Sequence, residues 1–345
     1  MTLRVLAGPK AFQQIQQRGM HADDFSTMVG ASGGPKWFSL FGLDQYLFGD
    51  FFAQRTQPLQ LLGSSAGAWR FACFAQDAPV AASQRFCQAY STLCYPKKAS
   101  TADITRISMT VIDAVFPSQQ HIQQVIENPA IKLNFIVARA RALTRGRSKA
   151  TQLVGLTMTA AANLAQRRWL GHFFERVLFH TPNQAQVVAD LNDLPTRWVP
   201  LDQHNLKQAL QASGSIPLVL DPVLDIPGAG PGVFYDGGIT DYHFDMPFSQ
   251  QGLVLYPHFY PQISPGWFDK SLPWRRRFSS HYDHVVMLCP SAQWIESLPG
   301  GKIPDRNDFK RPDQQRLKDW AIVIERSHEL AEAFKQGDYQ LERLY

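Results

Sequence analysis

Apolar residues fall along the 345-residue chain in short runs set between polar helical stretches. Residues 3–7 read as a strand, and Pro9 at a helix start opens a polar helix that ends near Gly19. The run 25–29 predicts a second strand. It enters the glycine-rich segment Gly30-Ala31-Ser32-Gly33-Gly34-Pro35-Lys36, after which an amphipathic helix is expected over 37–48. A third strand at 58–62 leads into a helix from Ala66. Strand, turn and helix recurring within about 80 residues point to a parallel sheet with helical crossovers.

Further helices are expected over 80–93, 102–115 and 118–127, with a strand at 131–140. A long helical region follows over 152–179. Its second half places apolar pairs at 169/170, 173/174 and 177/178 against Arg167, Arg168, Glu175 and Arg176. It reads as a core-packed helix, with a membrane-surface or lid helix as the alternative. Asn205 is expected to cap a helix to Ala212, which the segment 213–217 breaks. A Gly/Pro hairpin at 227–232 feeds a strand at 233–235 that delivers Asp236-Gly237-Gly238. Strands at 252–258 and 284–288 and a charged helix over 311–335 complete the pattern. With no repeat and no linker, one domain over 1–345 is expected: a motif-bearing core at 25–250 and a C-terminal extension, 251–345, packed on it.

Charged residues are 18% of the chain, below the roughly 25% of an average soluble domain, which predicts a comparatively apolar surface. The net charge of +5 gathers in patches at 145–149, at Arg167 and Arg168, and at 275–277. Such patches suit anionic lipid, nucleic acid or plain solvent equally on electrostatics. The basic stretches lack any nucleic-acid-binding motif, so no nucleic-acid partner is expected. Cys73, Cys87, Cys94 and Cys289 form no CxxC pair or zinc-ligand spacing and read as reduced, mostly buried thiols. The N-terminus lacks a secretory h-region, and the weakly polar stretch 153–165 is too short to span a bilayer. A cytoplasmic protein, with peripheral contact to an anionic membrane as an option, is the expectation. No metal and no cofactor is expected.

Gly63-Ser64-Ser65-Ala66-Gly67 is a G-x-S-x-G between an apolar strand and a helix. This arrangement holds a serine in a strained turn at a helix N-terminus, with small neighbours that let strand and helix approach. The glycine-rich loop at 30–36 lies at the end of a neighbouring strand. There Gly33 and Gly34 are candidate N–H donors to a carbonyl oxygen that gains charge in acyl transfer, joined by Ala66. A phosphate-binding loop is not expected, because Pro35 and Trp37 stand where a glycine and a magnesium-binding hydroxyl belong. Asp236-Gly237-Gly238 after a strand is either a plain hairpin turn or a base for Ser65 whose basicity burial raises.

Together these segments resemble the patatin-like phospholipase family, whose pattern is G-G-G-x-[RK]-G, then G-x-S-x-G, then D-G-[GA]. Here the first is Ser32-Gly33-Gly34-Pro35-Lys36-Trp37, the second Gly63 to Gly67 and the third Asp236 to Gly238; Ala212-Ser213-Gly214-Ser215-Ile216-Pro217 is also family-like. The resemblance implies a three-layer α/β/α sandwich with a mainly parallel sheet. It implies a Ser65–Asp236 dyad with an oxyanion hole at Gly33, Gly34 and Ala66. Gly63 and Gly67 would shape the elbow, and Lys36, Gly237 and Gly238 would support it. The substrate would be a lipid or other acyl ester. The chain departs from the pattern at Ser32 and Trp37, and the segment 240–245 has no counterpart in it.

Two alternatives stand beside this reading. A Ser-His-Asp hydrolase would draw its histidine from His258, His281, His284 or His328. A non-catalytic lipid-binding or scaffold protein would use the same fold with an altered oxyanion loop.

Overall fold

Most of the apolar runs become strands that are buried on both faces. A computed structural model describes residues 1–146, 148–248 and 252–345; Arg147, in the basic 145–149 stretch, and the expected 250/251 boundary lie outside the described residues. The strands are β1 (Leu3–Ala7), β2 (Phe25–Gly30), β3 (Leu59–Ser64), β4 (Ile131–Ala140), β5 (Phe174–His180), β6 (Thr196–Pro200), β7 (Val223–Leu224), β8 (Val233–Asp236), β9 (Leu253–Pro257), β10 (Val285–Pro290) and β11 (Tyr339–Arg343). They form one sheet in the order β11-β1-β10-β9-β2-β3-β4-β5-β6, with β8 on β4 and β7 on β8. Pairing is mainly parallel, with antiparallel joints at β1–β10, β4–β5, β4–β8 and β7–β8.

Consecutive residues of β2, β4, β9 and β10 are buried, so helices must cover both faces. The helices are α1 (Pro9–Arg18), α2 (Phe41–Tyr46), α3 (Ala66–Phe74), α4 (Pro79–Ser91), α5 (Thr101–Val115), α6 (Gln119–Glu127), α7 (Lys149–Ala165), α8 (Leu206–Gly214), α9 (Ala292–Glu296), α10 (Asp313–Arg326) and α11 (His328–Gln336). The fold is the α/β sandwich with a mainly parallel sheet expected from the sequence. The C-terminal segment contributes β9, β10 and β11 to that same sheet.

Strand length decides what meets at the centre. β4 has ten residues, and its first six pair in parallel with β3, ending at Ser64 opposite Ile136. The next three pair antiparallel with β8, beginning at Asp236 opposite Val137. β5 occupies the other edge, so the C-terminal ends of β3 and β8 abut on one edge of β4.

Several elements differ from expectation. The region 152–179 is not one helix: α7 ends at Ala165, a 3₁₀ segment covers Arg167–His172, and β5 follows. β5 lies between β4 and β6 with both faces covered, so its apolar residues need not alternate, and periodicity cannot tell such a strand from a buried helix. Over 37–48 the chain forms a 3₁₀ segment (Gly34–Leu40), then α2, then a π turn (Leu47–Phe51). The helix expected over 311–335 divides at Ser327, whose Oγ accepts the Gly42 N–H at 2.8 Å. Asn205 sits at the N-cap of α8, yet its side chain accepts from the Asp202 N–H and donates to the Pro200 carbonyl instead of capping. Cys94 is exposed; the other three cysteines are buried and unpaired, and burial pushes the Cys87 thiol up to about 12.

α3, the helix behind the elbow, is fixed by a fully buried pair. Arg70 donates to both carboxylate oxygens of Asp44 on α2, at 2.7 and 2.6 Å. Removing one partner strands the other charge in the core, so Asp44→Ala is expected to cost about 3–5 kcal/mol in urea unfolding. The double variant Asp44→Ala/Arg70→Met should recover part of that loss.

Candidate active site

Three chain turns converge at the C-terminal ends of β2, β3 and β8, the usual crevice of an open parallel sheet. Ser65 follows β3 directly and has φ +51°, a conformation that costs a non-glycine residue of order 1–3 kcal/mol. Surrounding bonds impose it. The Ser65 N–H donates to Ser213 Oγ at 3.0 Å, and Ser213 in turn donates to the Ile136 carbonyl of β4 at 2.8 Å. The Ser65 carbonyl already accepts from Trp69 in α3. No side chain fits at Gly67, where a Cβ would lie 1.9 Å from the Gly30 carbonyl oxygen, and one at Gly63 would strike α3.

Asp236 ends β8, its N–H held by the Ser215 carbonyl at 2.8 Å. One carboxylate oxygen accepts the Gly238 N–H at 2.7 Å, which leaves the other to accept Ser65 Oγ at 2.8 Å. Both side chains are buried to within 6% exposure. Gly237 permits the approach: a Cβ there would lie 2.0 Å from the Ile136 carbonyl oxygen. Burial holds the Asp236 carboxyl above the usual range, outweighing the Ser65 hydroxyl, Arg306, the Gly238 N–H and Lys270, which pull it down. A raised value makes a better base.

The glycine loop is stitched to the elbow by the residue that breaks its pattern. Ser32 Oγ donates to Ser64 Oγ at 2.7 Å, and Ser64 donates to the Asp241 carbonyl at 2.8 Å. The Ser32 N–H reaches the Tyr242 carbonyl at 3.0 Å. Trp37, the other departure, is fully buried and stacks on Phe86 at 4.6 Å, anchoring the loop to α4. Gly33 leaves room for the Phe259 ring, and Gly34 has φ +54°. Gly34 and Ala66 each open a helical segment, so their N–H groups have no intrahelical acceptor. The unplaced segment 240–245 proves to be the base of this assembly, with Asp241 gripped by both arms of Arg176 at 2.7 Å.

Two cavities open from Ser65. One, about 280 Å³, is walled by Trp69, Phe86, Ile104, Met109, Val111 and Leu220. The other, about 210 Å³, is lined by Lys36, Asp236, Tyr242, Lys270, Asp305 and Arg306. Among the described residues, Lys36, Lys270 and Arg306 form no ion pair. Asp305 is engaged with Lys302 and the Asn307 N–H. The Lys270 ammonium sits 3.7 Å from the Tyr242 ring centroid. Its pKa falls to about 7 through burial, then through repulsion from Arg306 and Lys36.

The structure thus gathers Ser65, Asp236, Gly33, Gly34, Ala66 and Lys36 around one point. Lys270, Arg306, Tyr242 and the Ser213 clamp were not singled out from sequence. Ser213 lay in a quoted segment without a role, and the others have no local motif. None of His258, His281, His284 and His328 lines either cavity. His258 is buried, its pKa lowered to about 4, and His281 faces Asp245 at 3.0 Å. Arg167 and Arg275, read as surface patches, turn inward to Asp269.

The raised Asp236 carboxyl carries a stability penalty. Below the unfolded-state pKa both states hold the proton and there is no cost; as pH rises through the folded pKa the native state loses stability relative to the unfolded one. Asp236→Asn is therefore expected to melt at or above wild type near neutral pH, with the gain vanishing toward acid pH in calorimetric scans.

No protein-family model matches the chain, and no curated protein matches it. Among solved structures it is similar to VipD from Legionella pneumophila, at a TM-score of 0.31 and 13% identity, over 68% of this chain and 50% of that one. The match thus spans half of VipD's length, and at this score it carries no functional argument.

Proposed function

We propose that this chain is a serine acyl hydrolase. The observation that carries the reading is the 2.8 Å hydrogen bond from Ser65 Oγ to a buried Asp236 carboxylate at a strained elbow. In this reading Ser65 Oγ attacks an ester carbonyl carbon while its proton passes to Asp236 Oδ2. The N–H groups of Gly33, Gly34 and Ala66 hold the resulting oxyanion. Collapse expels the alkoxide, which takes the proton back from Asp236 and leaves as an alcohol. Water then attacks the acyl-enzyme, giving a proton to Asp236; collapse releases the acid, and Ser65 Oγ takes that proton back.

The two cavities favour a particular ester. An acyl chain suits the apolar one, and an anionic group on the leaving alcohol suits the three unpaired cations of the other. A phospholipid, a lysophospholipid or a small anionic acyl ester fits this description.

Ser65→Ala should lower hydrolysis of p-nitrophenyl acyl esters by about 10⁴-fold or more, and a fluorophosphonate probe should label wild type at Ser65 alone. Wild-type turnover in the variant excludes the reading. The acid limb of kcat/KM should lie above the ordinary aspartate value of about 3.9, because Asp236 must be ionised to act. Arg306→Ala should raise KM for an anionic ester more than for its neutral analogue. For the anionic ester KM should also rise as pH passes about 7, where Lys270 loses its charge.

A further inference from the structure

α7 is built inside out. Its inward positions are Gln152, Gly155, Leu156, Thr159 and Asn163, mostly polar or small. Its outward positions include Leu153, Val154, Met158 and Leu164, exposed by 58, 54, 46 and 54%. At 100° per residue these four fall on the arc opposite the buried face. On the turns flanking α7, Leu143, Trp169 and Trp274 are exposed as well. Exposed Lys149 opens α7, and exposed Arg145, Arg168, Arg276 and Arg277 lie on the flanking segments; none of the five forms an ion pair among the described residues. Residues 141–174 contain six Lys or Arg and no Asp or Glu.

The inner side of the same helix is attached to the mouth of the catalytic cavity. Asn163 of α7 donates to Asp269 at 2.7 Å, and Arg275 donates to Asp269 at 3.1 Å and to the Leu164 carbonyl at 3.3 Å. Asp269 lies in the turn Trp267–Ser271, whose Trp267 and Lys270 line the cavity with Ser65.

We propose that the outward face of α7, with its basic margin and exposed tryptophans, docks on anionic lipid bilayers and turns the catalytic mouth toward the membrane. Helices of this kind lie in the interface with the apolar side sunk at the acyl boundary, cations at the headgroups and tryptophans at that level. Charge selects this occupant over a second copy of the chain. A symmetric dimer through this face would oppose two basic margins with no acidic partner, whereas an anionic leaflet neutralises them.

The test is co-sedimentation of the full chain with vesicles of phosphatidylcholine alone, or containing phosphatidylglycerol at about 30 mol%. Wild type should pellet with the anionic vesicles and be released as salt is raised. Leu153→Glu/Met158→Glu should bind roughly tenfold more weakly or worse, while keeping wild-type melting and wild-type hydrolysis of a soluble short-chain ester. Wild type left in the supernatant with both vesicles overturns the proposal, as does a variant that pellets normally. A wild-type dimer in sedimentation velocity that the variant converts to monomer overturns it too and assigns the face to self-association. Vesicle binding and melting are read without catalysis, so failure of the hydrolase reading leaves this result distinct.

Discussion

One strand edge carries the geometry on which the site depends. β4 outlasts β3 by enough residues that β8 can pair on the same edge, and the two C-terminal strand ends meet with Ser64 opposite Ile136 and Asp236 opposite Val137. The serine and aspartate are 171 positions apart in sequence, yet β4 holds Ser64, the residue before the serine, and Asp236 opposite its consecutive residues Ile136 and Val137. A backbone-defined contact of this kind explains why the elbow can hold Ser65 at positive φ. Ladder bonds, the Ser213 clamp and the Trp69 bond leave it no relaxed alternative. It also explains the glycines: at 67 and 237 the facing groups are carbonyl oxygens about 2 Å from any Cβ, and backbone cannot be pushed aside cheaply.

Those same close approaches are what made the site readable in one dimension. Glycine is required where a Cβ would strike its neighbours, backbone at Gly63, Gly67 and Gly237, the Phe71 ring at Gly30 and the Ser32 side chain at Gly238, so each convergent turn left a short local signature. Sheet class was legible for a related reason, since strands buried on both faces are continuous apolar runs. β5 shows the limit of that signal: the same burial makes its pattern indistinguishable from a core helix until β4 is seen beside it. β6 and β11 escaped for the opposite reason. They are short and largely half-exposed, so neither carries a continuous apolar run. Ser32 and Trp37, departures from the motif on paper, turn out to fasten the loop, one to Ser64 and one to Phe86. Lys270 and Arg306 reach the cavity from irregular turns, and no local spacing announces a charge that matters only by where a loop ends.

Electrostatics around Asp236 are a balance of opposed demands. Burial favours the protonated acid, while the Ser65 hydroxyl, the Gly238 N–H and two nearby cations favour the carboxylate. Those cations are themselves held against one another, and desolvation with mutual repulsion brings Lys270 to about 7. An anionic ligand between them would relieve that repulsion. Neutral, buried His258 plays no part in that balance, which leaves the aspartate as the titrating group in contact with the hydroxyl.

The polar inner face of α7 follows from the same economy of charge. Asp269 is fully buried and takes hydrogen bonds from Asn163, Arg167, Arg275 and the Gly266 N–H. A carboxylate so placed needs that full set of donors, and one must come from the helix that covers it. This accounts for Asn163 on the inner face. It does not account for the outer one. Leu153, Val154, Met158 and Leu164 leave about half of their surface in solvent, and glutamate, lysine or glutamine would serve helix propensity as well at those positions. Folding physics therefore explains only half of this helix, and the docking proposed above rests on the half it leaves unexplained.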